Sequence, residues 1–241
     1  MQKKFRNKIK KVSKILFLYI PVAFIAVSLL SVIAFKWLPV YYTPLMFLRS
    51  IENIDDKDYN IHKKWVPIEK ISPNLQLAVM ASEDNRFLQH HGFDWEAINK
   101  VIEMNKRSKK LRGASTISQQ TAKNVFLIPS RTWVRKGFEA YFTVCIELIW
   151  GKERIMEVYL NVAEMGKGIF GAEAAAEQLF HKTAQKLTER ESALIAASLP
   201  NPVRRKANNP SPYVSSRAAQ IQSLMYMMER PWWFNKYRKS K

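Results

Sequence analysis

Glu83 and Asp84 stand side by side, and His90, His91 and Asp94 follow within the next ten residues. A carboxylate that closes an apolar helix is disfavoured in its charged form by burial, by the negative end of the helix dipole and by a neighbouring acid. All three raise its pKa, the direction a general base acting on a sugar hydroxyl can use. A solvated helix end is the plain alternative. A metal site is the poorer account, because no H-E-x-x-H occurs and two adjacent histidines do not face one ion. Glu139 lies four residues after Arg135 and three after Lys136, so these charges share a helix face among Phe138, Tyr141 and Phe142. The plain alternative there is a surface ion pair. Between the two acids runs a basic block: Lys106, Arg107, Lys109, Lys110, Arg112, Lys123 and Arg131. Gly166 to Gly171 matches G-x-G-x-x-G, but a dinucleotide fingerprint needs a strand before it, and Glu157 to Met165 reads as helix. A loop where helices approach closely is the better account.

The elements that would carry these residues are mostly helices. Ser72-Pro73 opens one, with Ser as the cap and Pro in the first position; it is apolar nearly all round from Leu75 to Ala81 and delivers Glu83 and Asp84 at its end. Thr116 and Gln119 have the spacing of a capping box, as do Thr188 and Glu191. Helices are expected over Arg135 to Trp150, Lys152 to Met165 and Ala172 to Phe180, and a further apolar one after Thr188 that Pro200 stops. Residues 37–71, with Pro39, Pro44 and Pro67, have the mixed polarity of a connector. No alternating strands and no internal repeat are evident.

The 241 residues carry 39 Lys+Arg against 20 Asp+Glu, a formal net charge of +19. An apolar content of 47% excludes general disorder, and a single cysteine, Cys145, excludes a disulfide framework or Cys-rich zinc site. The charge falls in blocks. Residues 1–14 hold seven basic side chains and no acid; residues 100–136 hold ten and one acid; residues 201–241 hold nine and one acid. Ile15 to Phe35 is free of charge for 21 residues. As a helix it spans roughly 32 Å, enough for a bilayer core of ~30 Å. Lys36, Trp37, Tyr41 and Tyr42 follow as interfacial anchors, and the basic N-terminal flank orients that end to the cytoplasm. A cleaved signal peptide would have a shorter apolar run and a small-x-small site. The remainder then lies outside, where a phosphate on a lipid or sugar suits the central basic block better than nucleic acid does. The C-terminal mix of Trp232, Trp233, Phe234 and Tyr237 with Arg230, Lys236, Arg238, Lys239 and Lys241 suits a membrane interface or a solvated tail.

Five ordered segments together resemble the peptidoglycan glycosyltransferases of glycosyltransferase family 51, specifically the monofunctional biosynthetic transglycosylases. Glu83 to Gly92 is similar to E-D-x-x-F-x-x-H-x-G, and Gly113 to Gln120 to G-x-S-T-I-T-Q-Q, with Ser118 in place of Thr and Lys123-Asn124 following. Arg135 to Glu139 is similar to R-K-x-x-E, Lys152 to Asn161 to K-x-x-I-x-E-x-Y-L-N, and the glycine loop to G-x-G-x-x-G-x-x-x-A-A. The resemblance implies a mostly α, lysozyme-like domain over 72–241 behind a cytoplasmic basic tail (1–14), a transmembrane helix (15–36) and the connector. It implies polymerisation of lipid II into β-1,4-linked glycan with release of undecaprenyl diphosphate and inversion at the donor C1. Glu83 would be the base and Glu139 a second catalytic carboxylate near the diphosphate, where a divalent cation (Mg or Mn) could bind; no covalent cofactor is implied. Substrate contacts would come from Asp84, Phe87, His90, Ser115, Thr116, Gln119, Gln120, Lys123, Asn124, Arg131, Arg135 and Lys136. The partners implied are lipid II, the growing lipid-linked chain and the bilayer of the inner membrane, with cell-division or elongation proteins beyond them and no nucleic acid.

Asn201 to Pro212 keeps Asn-Pro pairs and is basic at Arg204, Arg205 and Lys206, and no contacts are assigned there. No Ser-x-x-Lys or Lys-Thr-Gly occurs, and only about 40 residues follow Leu199, so transpeptidation is not expected. Two other functions stay open on the residues alone. One is a hydrolase or lytic transglycosylase of the same general fold, which has no need of a basic diphosphate site. The other is a membrane-anchored glycan or lipid binder without catalysis.

Overall fold

The computed structural model describes residues 15–106 and 113–238. The basic residues ahead of Ile15, together with Arg107, Lys109, Lys110, Arg112, Lys239 and Lys241, lie outside the described residues. The chain divides into two units, Met1–Leu38 and Pro39–Lys241.

In the first unit Ile15–Phe35 is one helix of 21 residues with a mean hydropathy of 2.6, long and apolar enough to cross a membrane. It opens with a wide π-helical turn, Ile15–Tyr19, and continues as α1, Ile20–Phe35. The wide turn falls where the Pro21 ring would otherwise press on the carbonyl four residues earlier.

The second unit is mostly helical. The stretch expected as a connector is instead folded into it. Thr43 caps α2 (Pro44–Glu52), its hydroxyl accepting from the Met46 amide at 3.3 Å. Strand β1 (His62–Lys63) and a 3₁₀ turn (Ile68–Lys70) follow, with Val66, Ile68 and Ile71 buried. The prolines that suggested a linker are start signals: Pro44 opens α2 and Pro67 precedes the 3₁₀ turn.

Ser72 caps α3 (Pro73–Glu83), which is buried from Leu75 to Ala81, as its all-round apolarity requires. Asp94 caps α4 (Trp95–Lys106) by accepting from the Ala97 amide at 2.9 Å. Both capping boxes form, at Thr116 on α5 (Ile117–Phe126) and at Thr188 on α9 (Glu189–Ser198). Helices α6 (Trp133–Ile149) and α7 (Gly151–Val162) meet at Trp150, where Gly151 turns the chain with φ +75°. The remaining helices are α8 (Ala172–Phe180), α10 (Pro212–Met227) and α11 (Trp233–Arg238). Helix α3 packs on α9 and α10, while α5 packs on α6 and α7.

The helix expected to reach Met165 stops at Val162. Strand β2 (Glu164–Gly166) pairs antiparallel with β3 (Ile169–Phe170), which pairs in parallel with β1, giving the order β1-β3-β2. A strand therefore does precede the glycine run, but the run closes a hairpin and does not form a strand-to-helix phosphate loop. Its glycines serve close approach. A Cβ on Gly168 (φ +69°) would come within 2.5 Å of the Asn60 carbonyl oxygen, and one on Gly171 (φ +85°) within 2.7 Å of that of Asn161. Asn161, fully buried, clamps the backbone of Val66 from both sides, accepting from its amide at 3.0 Å and donating to its carbonyl at 2.8 Å.

Candidate functional site

Glu83 lies half-buried at the last turn of α3, where the two helix clusters meet. The Gln120 side-chain amide on α5 donates to its Oε2 at 3.0 Å, and the Ser82 hydroxyl donates to Oε1 at 3.3 Å. Tyr159 on α7 is buried and donates its hydroxyl to Gln120 Oε1 at 3.4 Å. That bond turns the NH₂ of Gln120 toward Glu83. Burial holds the Tyr159 phenol well above its usual pKa, and the charges of Glu83 and Asp84 push the same way, so it stays a donor.

Two clefts share Glu83. One, of about 610 Å³, is lined by Ser82, Glu83, Arg205, Tyr213, Arg217 and Gln220, among others. The Arg205 guanidinium lies 5.0 Å from the centre of the Tyr213 ring. The other, of about 230 Å³, runs past Asp84, Asp94, Ser115 and Thr116.

Asp84, Phe87, His90, Thr116 and Gln119 belong to the frame around Glu83. Asp84 is buried and accepts from His90 Nε2 at 2.9 Å and from the Ile117 amide, at the start of α5, at 2.9 Å. His90 Nδ1 accepts from the Gly92 amide at 3.1 Å, which assigns the ring proton to Nε2. The Thr116 hydroxyl donates to the Gly92 carbonyl at 2.7 Å, and the Gln119 side chain accepts from the Thr116 amide at 3.0 Å. Phe87 is fully buried, with Lys152 Nζ 4.6 Å from its ring centre. Lys152 pairs with Glu147 at 2.6 Å, and Glu147 also accepts from the Ser118 hydroxyl. The Ser118 substitution thus keeps a working donor.

A third cavity, of about 510 Å³, gathers cations: Lys123, Arg131 and Arg135 line it with Asn124, Ser130, Arg49 and Glu164, and Leu45, Leu127 and Pro129 supply an apolar wall. Glu139 is not a surface residue; it is 3% exposed. Arg135 Nη1 donates to one of its carboxylate oxygens at 2.5 Å and Lys136 Nζ to the other. Arg135 Nε also donates to the Ser130 carbonyl at 2.6 Å. Burial pushes the Lys123 ammonium below the usual lysine pKa; Glu139 and Glu83 oppose this, while Arg135 and Lys136 add to it. Lys123 lines the cation cavity and also feels the charge of Glu83. The residues around Glu139 do not form a cage for a divalent ion, since both its oxygens already hold protein cations. Among the described residues no three His, Cys, Asp or Glu side chains gather.

Sequence reasoning missed Arg49, Glu164, Tyr213, Arg217 and Gln220. Arg49 and Glu164 are 115 residues apart and meet only in the fold. The basic Arg204–Lys206 run was the visible signal for the Glu83 cleft, and α10 completes it.

The family described as transglycosylase matches residues 49–226. The chain is 55% identical over 208 residues, 86% of its length and 84% of the relative's, to a biosynthetic peptidoglycan transglycosylase of Bacteroides thetaiotaomicron. It is 52% identical over 199 residues to the protein of that name from Bdellovibrio bacteriovorus, covering 82% of this chain and 80% of the relative. A third relative so named, from Caulobacter vibrioides, is 46% identical over 213 residues, 88% and 91% of the two chains.

Proposed function

The chain belongs to the transglycosylase family and is a peptidoglycan glycosyltransferase, and from that premise we propose how its side chains divide the work. Its substrates are lipid II and the growing glycan chain. Glu83 takes the proton from the 4-hydroxyl of the acceptor sugar. The freed oxygen attacks C1 of the donor from the face opposite the leaving group. The β-1,4 bond forms as the bond from C1 to the diphosphate oxygen breaks, and undecaprenyl diphosphate leaves with that electron pair. Lys123, Arg131 and Arg135 meet the charge that develops on the leaving oxygens. Glu139 holds Arg135 and Lys136 in register, so its part is to aim cations. No step is routed through a metal, because its oxygens are already paired.

One observation carries this reading. Glu83, a half-buried carboxylate shared by two clefts, is held by a neutral amide donor, and its charge acts on Lys123, which lines a cavity of cations. A glycan hydrolase has no use for that cavity. The basic flank ahead of the apolar helix supports an N-terminus in the cytoplasm and a catalytic unit outside it. Labelled lipid II given to the full-length protein tests the chemistry. Wild type should form polymer, and Glu83→Gln should lose at least about 100-fold in rate. A variant as active as wild type overturns the assignment of the base. Breakdown of preformed glycan without synthesis favours the hydrolase.

A further inference from the structure

Of the four cations that line the cavity, Arg49 alone lies outside both the motifs and the central basic block. Arg49 is on α2, yet it lines the same space as Lys123, Arg131 and Arg135. Two carboxylates hold its guanidinium. Nε and Nη2 donate to Glu164 on β2, at 3.1 and 3.0 Å, and Nη1 donates to Glu52 at 2.8 Å. These two acids are unlike. The Glu164 side chain is 8% exposed and lines the cavity, whereas the Glu52 side chain, one turn along α2, is 45% exposed. Glu164 is a fixed buttress, and Glu52 is a counter-ion open to solvent.

We propose that Arg49 is a fourth substrate-binding cation, held in place by Glu164 and masked by Glu52 until a lipid-linked diphosphate takes over the Nη1 side. The proposal rests on the reading that this cavity receives the diphosphate. The exchange is favourable on ordinary magnitudes. An ion pair open to solvent, such as Arg49–Glu52, contributes little to stability. A guanidinium bound to phosphate makes two parallel charge-assisted bonds, each stronger than a neutral one. The same helix also meets the other half of the ligand. Leu45 is one turn before Arg49 and joins Leu127 and Pro129 in the apolar wall, where the first carbons of a prenyl chain would lie while the phosphates face the guanidinium. Helix α2 therefore selects a diphosphate attached to a lipid over one in water.

The test is the KM and kcat for lipid II of the full-length protein, with inorganic diphosphate as a competing probe. Glu52→Gln should lower KM about threefold and bind the probe more tightly, since it unmasks Arg49. Arg49→Met should raise KM about tenfold, and Arg49→Lys should fall between it and wild type. A purely structural Arg49 predicts the opposite for Glu52→Gln: an unchanged or raised KM, because an ion pair is lost for nothing. That result overturns the proposal, and it does so on an exposed substitution that leaves the buried Glu164–Arg49 pair in place. Lys123→Ala separates the two levels. If it leaves KM and probe binding untouched, the diphosphate reading of the cavity fails and the proposal with it; if it raises KM while the Arg49 and Glu52 variants match wild type, only the proposal fails.

Discussion

At the scale of single residues, function depends on which atoms are already spoken for. Gln120 can donate to Glu83 because Tyr159 occupies its carbonyl oxygen. Tyr159→Phe frees that amide to turn over and leaves Glu83 with the Ser82 hydroxyl as its one fixed side-chain donor. Its kcat for lipid II should fall about tenfold with KM little changed, and an unaltered kcat would show the orientation to be immaterial. Lys123 gives the pH dependence. Burial lowers its pKa from the ordinary 10.5, so the free enzyme loses this proton at a lower pH than an exposed lysine would. A bound diphosphate favours the charged form and draws the proton back. KM should therefore climb with pH on the alkaline side before 10.5 is reached, and Lys123→Arg should flatten that climb. A KM that stays flat in wild type up to 10.5 removes Lys123 from phosphate binding. Glu83 stood out in the sequence as an acid at the end of an apolar helix and Lys123 as part of a basic block, both of which are local information. Arg49 did not, because its meaning depends on Glu164, 115 residues away.

At the scale of elements, two of the recognisable motifs prove to be one joint. Asp84 closes α3 and reaches the first amide of α5, and the Gly92 carbonyl accepts from the hydroxyl that caps the same helix. The short segment between them, with His90 seated on Asp84, fixes the angle at which α5 presents Gln120 to Glu83. Thr116→Ala should cost about 1 kcal/mol of stability, as lost caps do. Asp84→Ala, which strands His90 and the Ile117 amide together, should cost about 2–3 kcal/mol. Because both act on one helix start, the double variant should depart from the sum by at least about 0.5 kcal/mol in thermal or denaturant unfolding. Strict additivity would mean the motifs are separate supports. The helix starts were readable since a cap and its partner are three residues apart. Strand β2 was not: Glu164–Gly166 continues a helical pattern, and pairing with Ile169–Phe170 makes it a strand.

At the scale of the whole molecule, the basic and aromatic C-terminus shows how composition misleads about place. Its tryptophans suit a membrane interface, and the two adjacent ones have opposite fates. Trp232 is 61% exposed, whereas Trp233 is fully buried and donates its ring N–H to Gln76 Oε1 at 2.8 Å. Gln76 is buried in α3, and its amide nitrogen donates to the Ile71 carbonyl at 3.0 Å, so Trp233 completes the partners of a polar group inside the helix that ends in Glu83. Lys236 and Tyr237 pair with Glu153 on α7, fastening the last helix from its other end. The segment is thus a brace between α3 and α7. Trp233→Phe keeps most of the volume but leaves Gln76 Oε1 without its donor, a loss of about 1–3 kcal/mol. Trp233→Ala adds a cavity and should cost about 3–5 kcal/mol. Trp232→Ala should stay within about 0.5 kcal/mol. A segment that only rested on lipid would lose little stability at either position, so near-equal unfolding midpoints for the three variants would contradict the brace. With it, Trp233→Ala should also lower kcat, since α3 is what holds the base in place.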